Sequence, residues 1–205
     1  MLAMGVRERF ISSIGYLRNL GFFEEYSNLT SEEIFEKISE DDIFLRDLDK
    51  KEYWRKESDF DIDRYVIIKD KKRIWEGFDY DELPNPGVGL DYLNGLASIS
   101  RGVFQPTNVR EEYKLDKDRE TGLDVGYCRV YFTYRGKDMM LEFSWNEVHR
   151  WQFGHAMNEL NWMIQHTGYR YYRIRHPDMS LFIVLKPEEA KKLRKERGWK
   201  LEGIW

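Results

Sequence analysis

The chain has 205 residues, 41% hydrophobic and 34% charged, with a formal net charge of −4. A chain of this length can bury roughly 70% of its unfolded surface, so stability requires neither a disulfide nor a metal. No apolar run approaches the ~20 residues of a membrane span, and the first residues lack a charged-then-apolar leader. The lone Cys128 fits a reducing compartment. The sequence therefore predicts a cytoplasmic protein that is not associated with a membrane.

Charge is unevenly distributed along the chain. Residues 1–86 have a net charge of −7, whereas residues 87–205 have a net charge of +3. Because a dedicated nucleic-acid binder usually has a clearly basic domain, this distribution disfavours nucleic acid as the main partner. An acidic surface is typical of a soluble protein, or of one with a basic partner.

The first part of the chain is predicted to be mostly helical. Apolar residues at helical spacing form a stripe that ends near Gly21: Val6, Phe10, Ile14 and Leu17. Thr30 and Glu33 have the spacing of a capping box, so a second helix should start there. Residues 41–56 are expected to be helical, with three residues pointing inward: Ile43, Leu45 and Leu48.

Acidic residues alternate with apolar ones at Asp59, Asp61 and Asp63. A calcium loop of the EF-hand type begins in this way, but its sixth position requires a glycine, and here that position is Arg64. The alternation favours a strand with its acidic side chains in solvent.

A linker at residues 84–87, Pro-Asn-Pro-Gly, separates two regions. Residues 1–83 form an acidic, mostly helical region, which could also pack into the same domain as the rest. Residues 87–205 form an α+β domain. The Gly87-Val88-Gly89 stretch lacks the third glycine and the preceding strand of a dinucleotide-binding loop. A helix follows it, and Gly102 and Pro106 end that helix.

The clearest local prediction is a β-hairpin over residues 128–145. Two alternating apolar series flank Gly136-Lys137, which is expected to be a type II′ turn. This turn would place Phe132 opposite Leu141, and both apolar series would share one face of the hairpin.

The remaining elements complete the predicted fold. Residues 147–167 are expected to form a long helix, Tyr169–Arg175 and Leu181–Leu185 two strands, and Pro187 the start of a last helix. The predicted fold class is α+β: an antiparallel sheet packed by helices on one face, preceded by the mostly helical region.

The long helix contains the candidate functional residues. Four of them share the polar side of the helix: His155, Asn158, Glu159 and Trp162. A tryptophan on a polar face indicates a contact surface, so these residues are the predicted partner-binding site. His155, Glu159 and His166 could instead bind a metal, although such sites normally gather more convergent ligands. We favour a solvated helix face over a metal site.

The strand Tyr169–Arg175 interleaves aromatic residues with Arg170, Arg173 and Arg175. This pattern suits bases and phosphates, but a half-buried strand with arginine stems over aromatic rings would show it too. Cys128 is expected to face the core, where it would not act as a nucleophile. The sequence contains no G-x-S-x-G elbow, Walker loop, zinc pair or H-E-x-x-H motif, and it predicts neither a cofactor nor a small-molecule ligand.

Two stretches carry a resemblance: Ile99-Ser100-Arg101-Gly102-Val103-Phe104-Gln105-Pro106, and the PEE…ERGW helix that starts at Pro187. On these, the chain resembles a group of uncharacterised bacterial cytosolic proteins. The resemblance covers about the last 115 residues, and Lys186 departs from the small hydroxyl residue expected before Pro187. By analogy alone, the small α+β build and the aromatic, acidic composition are similar to those of immunity proteins of bacterial toxin systems.

Three functional hypotheses follow. The first is a non-enzymatic cytoplasmic module that binds a protein partner or a second copy of itself, with an immunity protein as the type that the analogy suggests. The second is a metal-dependent hydrolase that uses His155, Glu159 and His166. The third is a nucleic-acid accessory protein that uses the Tyr169–Arg175 strand.

Overall fold

The structure of the chain is a computed structural model that describes residues 5–40, 42–46, 48, 52–77, 85–146, 150–152, 154–175 and 180–203. The helices are α1 (Val6–Arg18), α2 (Ser31–Glu40), α3 (Ile43–Arg46), α4 (Asp59–Ile67), α5 (Val88–Ser98), α6 (Gly154–Ile164) and α7 (Pro187–Arg197). The strands are β1 (Ile74–Glu76), β2 (Thr107–Lys117), β3 (Asp124–Tyr134), β4 (Lys137–Asn146), β5 (Arg150–Gln152), β6 (Arg170–Arg175), β7 (Ser180–Leu185) and β8 (Leu201–Gly203). The α+β prediction is confirmed.

The strands form two four-stranded sheets, where the sequence suggested one. The first has the order β2-β3-β4-β5 and is antiparallel throughout. The second has the order β1-β7-β6-β8, in which β6 pairs antiparallel with both β7 and β8. None of the helices in the described part of the chain is long and apolar enough to cross a membrane.

The chain divides into two compact units. Unit 1 comprises Met1–Ile74 and Lys191–Trp199, and unit 2 comprises Trp75–Ala190 and Lys200–Trp205.

Unit 1 is helical and has an aromatic core. The predicted stripe of α1 is buried, and the ring of Phe10 lies 5.1 Å from Trp54 and 6.1 Å from Tyr65, centroid to centroid. The capping box of α2 is confirmed, because Thr30 N–H donates to Glu33 and Glu33 N–H donates back to the Thr30 hydroxyl.

Two predictions in unit 1 were wrong. Residues 59–67 form helix α4 rather than a strand: Ser58 accepts a hydrogen bond from Asp61 N–H, and Asp63 is buried instead of solvated. Acidic residues in a first helical turn suit the positive end of the helix dipole, so the alternating acids mark a helix start. Ile43 was expected to point inward but is 71% exposed, because α3 is only four residues long and buries Leu45 instead.

In unit 2, helices α5 and α6 pack on the β2-β3-β4-β5 sheet and enclose a continuous apolar core. The carboxylate of Glu111 on β2 accepts hydrogen bonds from Gly87 N–H at 2.6 Å and Gly89 N–H at 2.7 Å. The Gly87-Val88-Gly89 stretch is therefore the start of α5, whose unpaired N–H groups are satisfied by a side chain of this same unit.

The hairpin of β3 and β4 forms as expected, but its register was predicted incorrectly. Its turn consists of Arg135 and Gly136, with φ of 51° and 72°. Phe132 lies opposite Met139 instead of Leu141. Two positive φ values are the geometry of a type I′ turn, which matches the twist of the flanking strands. Because the pairing shifts by two residues, both apolar series keep the predicted face.

The long helix predicted for residues 147–167 is shorter in the structure. Residues 150–152 form β5, which pairs with β4, and α6 begins at Gly154. Residues 147–149 and 153 lie outside the described residues. After Ile164 the chain tightens into a 3-10 turn, Gln165–Thr167, and Gly168 ends it with φ 76°.

Candidate functional site

Trp162 lies on the outer side of α6, and 65% of its surface is exposed. The opposite side of the helix packs into the core of unit 2 through four residues that are fully buried: Ala156, Met157, Leu160 and Ile164. Their spacing of one, three and four residues leaves position 162 on the far side. The predicted exposure of Trp162 is confirmed.

Trp162 borders a groove between the end of α6 and the tip of the β3–β4 hairpin. The groove has a volume of about 450 Å³ and is lined by Tyr134, Arg135, Lys137, Met139, Trp162, Met163, Gln165 and His166. We call it the Trp162 groove. Its more buried residues are Tyr134, Met139 and Met163, which form an apolar floor, and its other lining residues are exposed. Methionine side chains adapt to different apolar partners, so such a floor suits a binding surface.

Contacts of Tyr134 hold the hairpin side of the groove in place. The Tyr134 hydroxyl donates a 2.9 Å hydrogen bond to the Val103 carbonyl, and its ring lies 5.3 Å from Phe104. Burial raises the pKa of the Tyr134 hydroxyl, which remains a neutral donor. These contacts fix the base of the turn that presents Arg135 and Lys137.

Among the described residues, the lining of the groove includes cations but no acidic residue. Asp138, which lies between the lining residues of the hairpin tip, accepts a 3.1 Å hydrogen bond from Thr133 on the other face of the hairpin. In the 3-10 turn after α6, His166 also lines the groove, and its Nδ1 lies 3.1 Å from the Met163 carbonyl.

The other residues predicted for partner binding lie on α6 before Trp162. His155 is largely exposed, and its Nε2 lies 3.3 Å from the Glu159 carboxylate. Asn158 is partly buried, and its side-chain oxygen has no hydrogen-bond partner among the described residues. None of these three residues lines the groove. The groove residues that come from this part of the chain begin at Trp162 and continue to His166.

The residues proposed for a metal do not come together. His155 pairs with Glu159, whereas His166 contacts the Met163 carbonyl and borders the Trp162 groove. Within the described ranges, no three His, Cys, Asp or Glu side chains form a group that could hold a metal ion.

Strand β6 does not present the interleaved surface that its sequence suggested. Tyr171 and Tyr172 are both buried, so neither ring can stack on a base. Arg173 donates a 3.1 Å hydrogen bond to Ser180 and lies 3.8 Å from Glu202. Arg170 occupies the other side of the strand, since side chains alternate, and the side chain of Arg175 lies outside the described part of the structure.

Cys128 is fully buried in the core of unit 2, as expected. Burial, together with the charge of Glu111, raises the pKa of its thiol to about 12. A thiol with this pKa contains almost no thiolate at neutral pH.

Sequence reasoning identified Trp162 but missed the rest of the groove. Met139, Tyr134 and the two cations of the hairpin tip lie more than twenty positions before Trp162. Only the packing of α6 against β4 brings these segments together. The available signal was the pair of cations around Gly136, which marked an exposed turn without indicating what lay beside it.

The chain was compared with protein-family models, curated proteins and solved structures. No protein-family model, curated protein or solved structure matches the chain.

Proposed function

We propose that this chain is a protein-binding module whose contact surface centres on Trp162 and the adjoining groove. The observation behind the proposal is the 65% exposure of Trp162 beside an apolar floor. Tryptophan is enriched among the residues that dominate binding energy, and such residues cluster where a partner can exclude water.

A partner that covers Trp162 would gain free energy from the burial of apolar surface. Covering a large aromatic side chain removes apolar surface from water at about 25 cal/mol per Å². An aromatic residue of this size can bury roughly 150–250 Å² in all, and the 65% of Trp162 that is exposed is the part that a partner can still cover. A stable interface also needs about 800 Å² from each partner, so the surface must extend beyond the groove. His155 and Glu159, on the same side of α6, would contribute its polar edge.

The module would act by binding and not by catalysis, in the cytoplasm of a bacterium, and it would mask its partner as immunity proteins do. Support for this role comes from the sequence resemblance and from the α+β fold. Co-expression with the product of the neighbouring gene tests it: we expect a stable complex that is lost in Trp162→Ala. No complex with that product would contradict the immunity role.

Selection from a displayed random peptide library tests the binding surface itself. We expect the wild-type chain to enrich peptides that bind it, and Trp162→Ala to lose them. The matched control is Met140→Ala, because Met140 is another exposed apolar residue of unit 2 but faces away from the groove. Equal binding of the selected peptides to Trp162→Ala and Met140→Ala would contradict the proposal.

Metal analysis separates this proposal from the hydrolase alternative. We expect the metal content of the purified protein to be the same in wild type and in His155→Ala. Stoichiometric zinc or manganese that is lost in His155→Ala would replace the binding proposal with the metal-dependent one.

A further inference from the structure

The occupant of the Trp162 groove can be specified further from the charges that surround it. Arg135 and Lys137 are both exposed, and both line the groove. Neither forms an ion pair with an acidic residue in the described part of the chain. Two positive charges therefore stand beside an apolar floor without a negative partner among the described residues of unit 2.

Three other cations of the same unit are paired. Arg129 lies 2.7 Å from Glu142, Lys117 lies 3.0 Å from Asp124, and Arg101 lies 3.2 Å from Glu189. Arg135 and Lys137 at the hairpin tip have no such partner among the described residues.

The geometry of the turn keeps these two charges together. Arg135 has a left-handed φ of 51° and Gly136 follows with 72°, so the chain reverses within two residues and places Lys137 beside Tyr134. An entering segment would meet positive charge at the hairpin edge of the groove and apolar side chains at its centre.

We infer that the groove binds an acidic protein segment, in which one apolar side chain inserts over Met139 and Met163 while flanking carboxylates approach Arg135 and Lys137. This inference rests on the proposed function and adds the chemistry of the partner. A complementary charge at the edge of an interface raises the association rate and selects among partners, and the apolar anchor supplies most of the affinity.

Fluorescence polarisation with three labelled peptides tests the inference. Each peptide has a central Phe-Leu pair, flanked on both sides by glutamates, by glutamines or by lysines. We expect the glutamate peptide to bind about fivefold to tenfold tighter than the glutamine peptide, because two exposed ion pairs contribute modestly. This preference should shrink as salt is raised from low concentration to 0.5 M.

Variants of the cations identify the source of the preference. Replacing Arg135→Asn together with Lys137→Gln should abolish the preference for glutamate and leave binding of the glutamine peptide unchanged. Asn is chosen because it tolerates the left-handed backbone at position 135. The matched control, Lys117→Gln with Arg119→Gln, removes the same charge elsewhere in unit 2 and should keep the preference.

The outcomes separate this inference from the function on which it rests. If all three peptides bind equally and depend on Trp162, the groove binds protein but the acidic partner is wrong. Tighter binding of the lysine peptide would overturn the inference as well. If no peptide binds in a Trp162-dependent manner, both proposals fail. Self-association of the chain that is lost in Trp162→Ala, but not in the charge variant, would identify a second copy as the occupant and also overturn it.

Discussion

Arg197 and Asp63, which lie 134 positions apart in the chain, form a buried ion pair within unit 1. The guanidinium donates from Nε at 2.9 Å and from Nη2 at 2.5 Å to the two carboxylate oxygens. Ser13 and Trp199 donate to the same carboxylate, at 2.6 Å and 2.9 Å, and Asp63 is fully buried. These four side chains connect α1, α4 and the end of α7.

The loss of one partner of this pair should be costly. Arg197→Met leaves the Asp63 carboxylate buried without its counter-charge, so we expect unfolding free energy to fall by about 3–5 kcal/mol. Urea denaturation measures the change, with Lys195→Met as the control because Lys195 is an exposed residue of the same helix. Adding Asp63→Asn to Arg197→Met should recover part of the loss. Additive losses in the double variant would mean that the two groups do not interact.

Gly95 is required by the close approach of Trp75 to helix α5. A Cβ atom at position 95 would lie 2.1 Å from Cε2 of the Trp75 ring. Alanine normally stabilises a helix interior relative to glycine, but here we expect Gly95→Ala to cost about 1–3 kcal/mol through overpacking. Asn94→Ala, at the exposed neighbouring position, should not destabilise the protein in the same urea titration. A Gly95→Ala protein as stable as wild type would show that the ring is not held against the helix.

Phe132 should be one of the strongest contributors to the core of unit 2. Its ring lies 5.7 Å from Phe104 in an edge-to-face arrangement, and Met139 is its cross-strand neighbour. Truncation in Phe132→Ala should cost about 3–5 kcal/mol of unfolding free energy. A measured loss below about 1 kcal/mol would be inconsistent with the buried face of the hairpin.

Cys128 should make stability depend on pH in the alkaline range. Burial raises its pKa from an ordinary value of 9.0 to about 12, so the folded state holds its proton more tightly than the unfolded state. The stabilisation is fully present below pH 9 and is lost as pH rises from 9 toward 12. Urea titrations across pH 7–10 should therefore show a steeper loss for wild type than for Cys128→Ala.

Alkylation gives a second measurement at the same residue. We expect iodoacetamide at pH 8 to leave Cys128 unmodified in the folded protein and to modify it quickly in urea. Rapid stoichiometric labelling of the folded protein would contradict the described burial of the thiol.

The sequence predicted what depends on local patterns. The α1 stripe, the Thr30 and Glu33 capping box, and the alternating faces of the hairpin are all set by residues close together in the chain. Where two local patterns conflict, the prediction from the sequence was wrong. The acids at residues 59–63 alternate like a strand, but Ser58 caps them and the buried Asp63 has its partners in α1 and α7.

The composition of the Trp162 groove could not be predicted from local patterns either. Helical phase was sufficient to place Trp162 outside the core, since it depends only on residues 156–164. The floor and the cations come from β3 and β4, and a hairpin that packed differently against α6 would have left Trp162 beside other residues. Long-range packing decides the composition of the groove.

Calorimetric titration of a selected peptide into the wild-type and Trp162→Ala proteins tests the central claim most directly. We expect Trp162→Ala to raise the Kd about 30-fold or more, which corresponds to a loss of about 2 kcal/mol at a hot spot. Its unfolding free energy should stay within about 1 kcal/mol of wild type, because the side chain is exposed. A Kd equal to that of wild type in a folded Trp162→Ala protein would contradict the account.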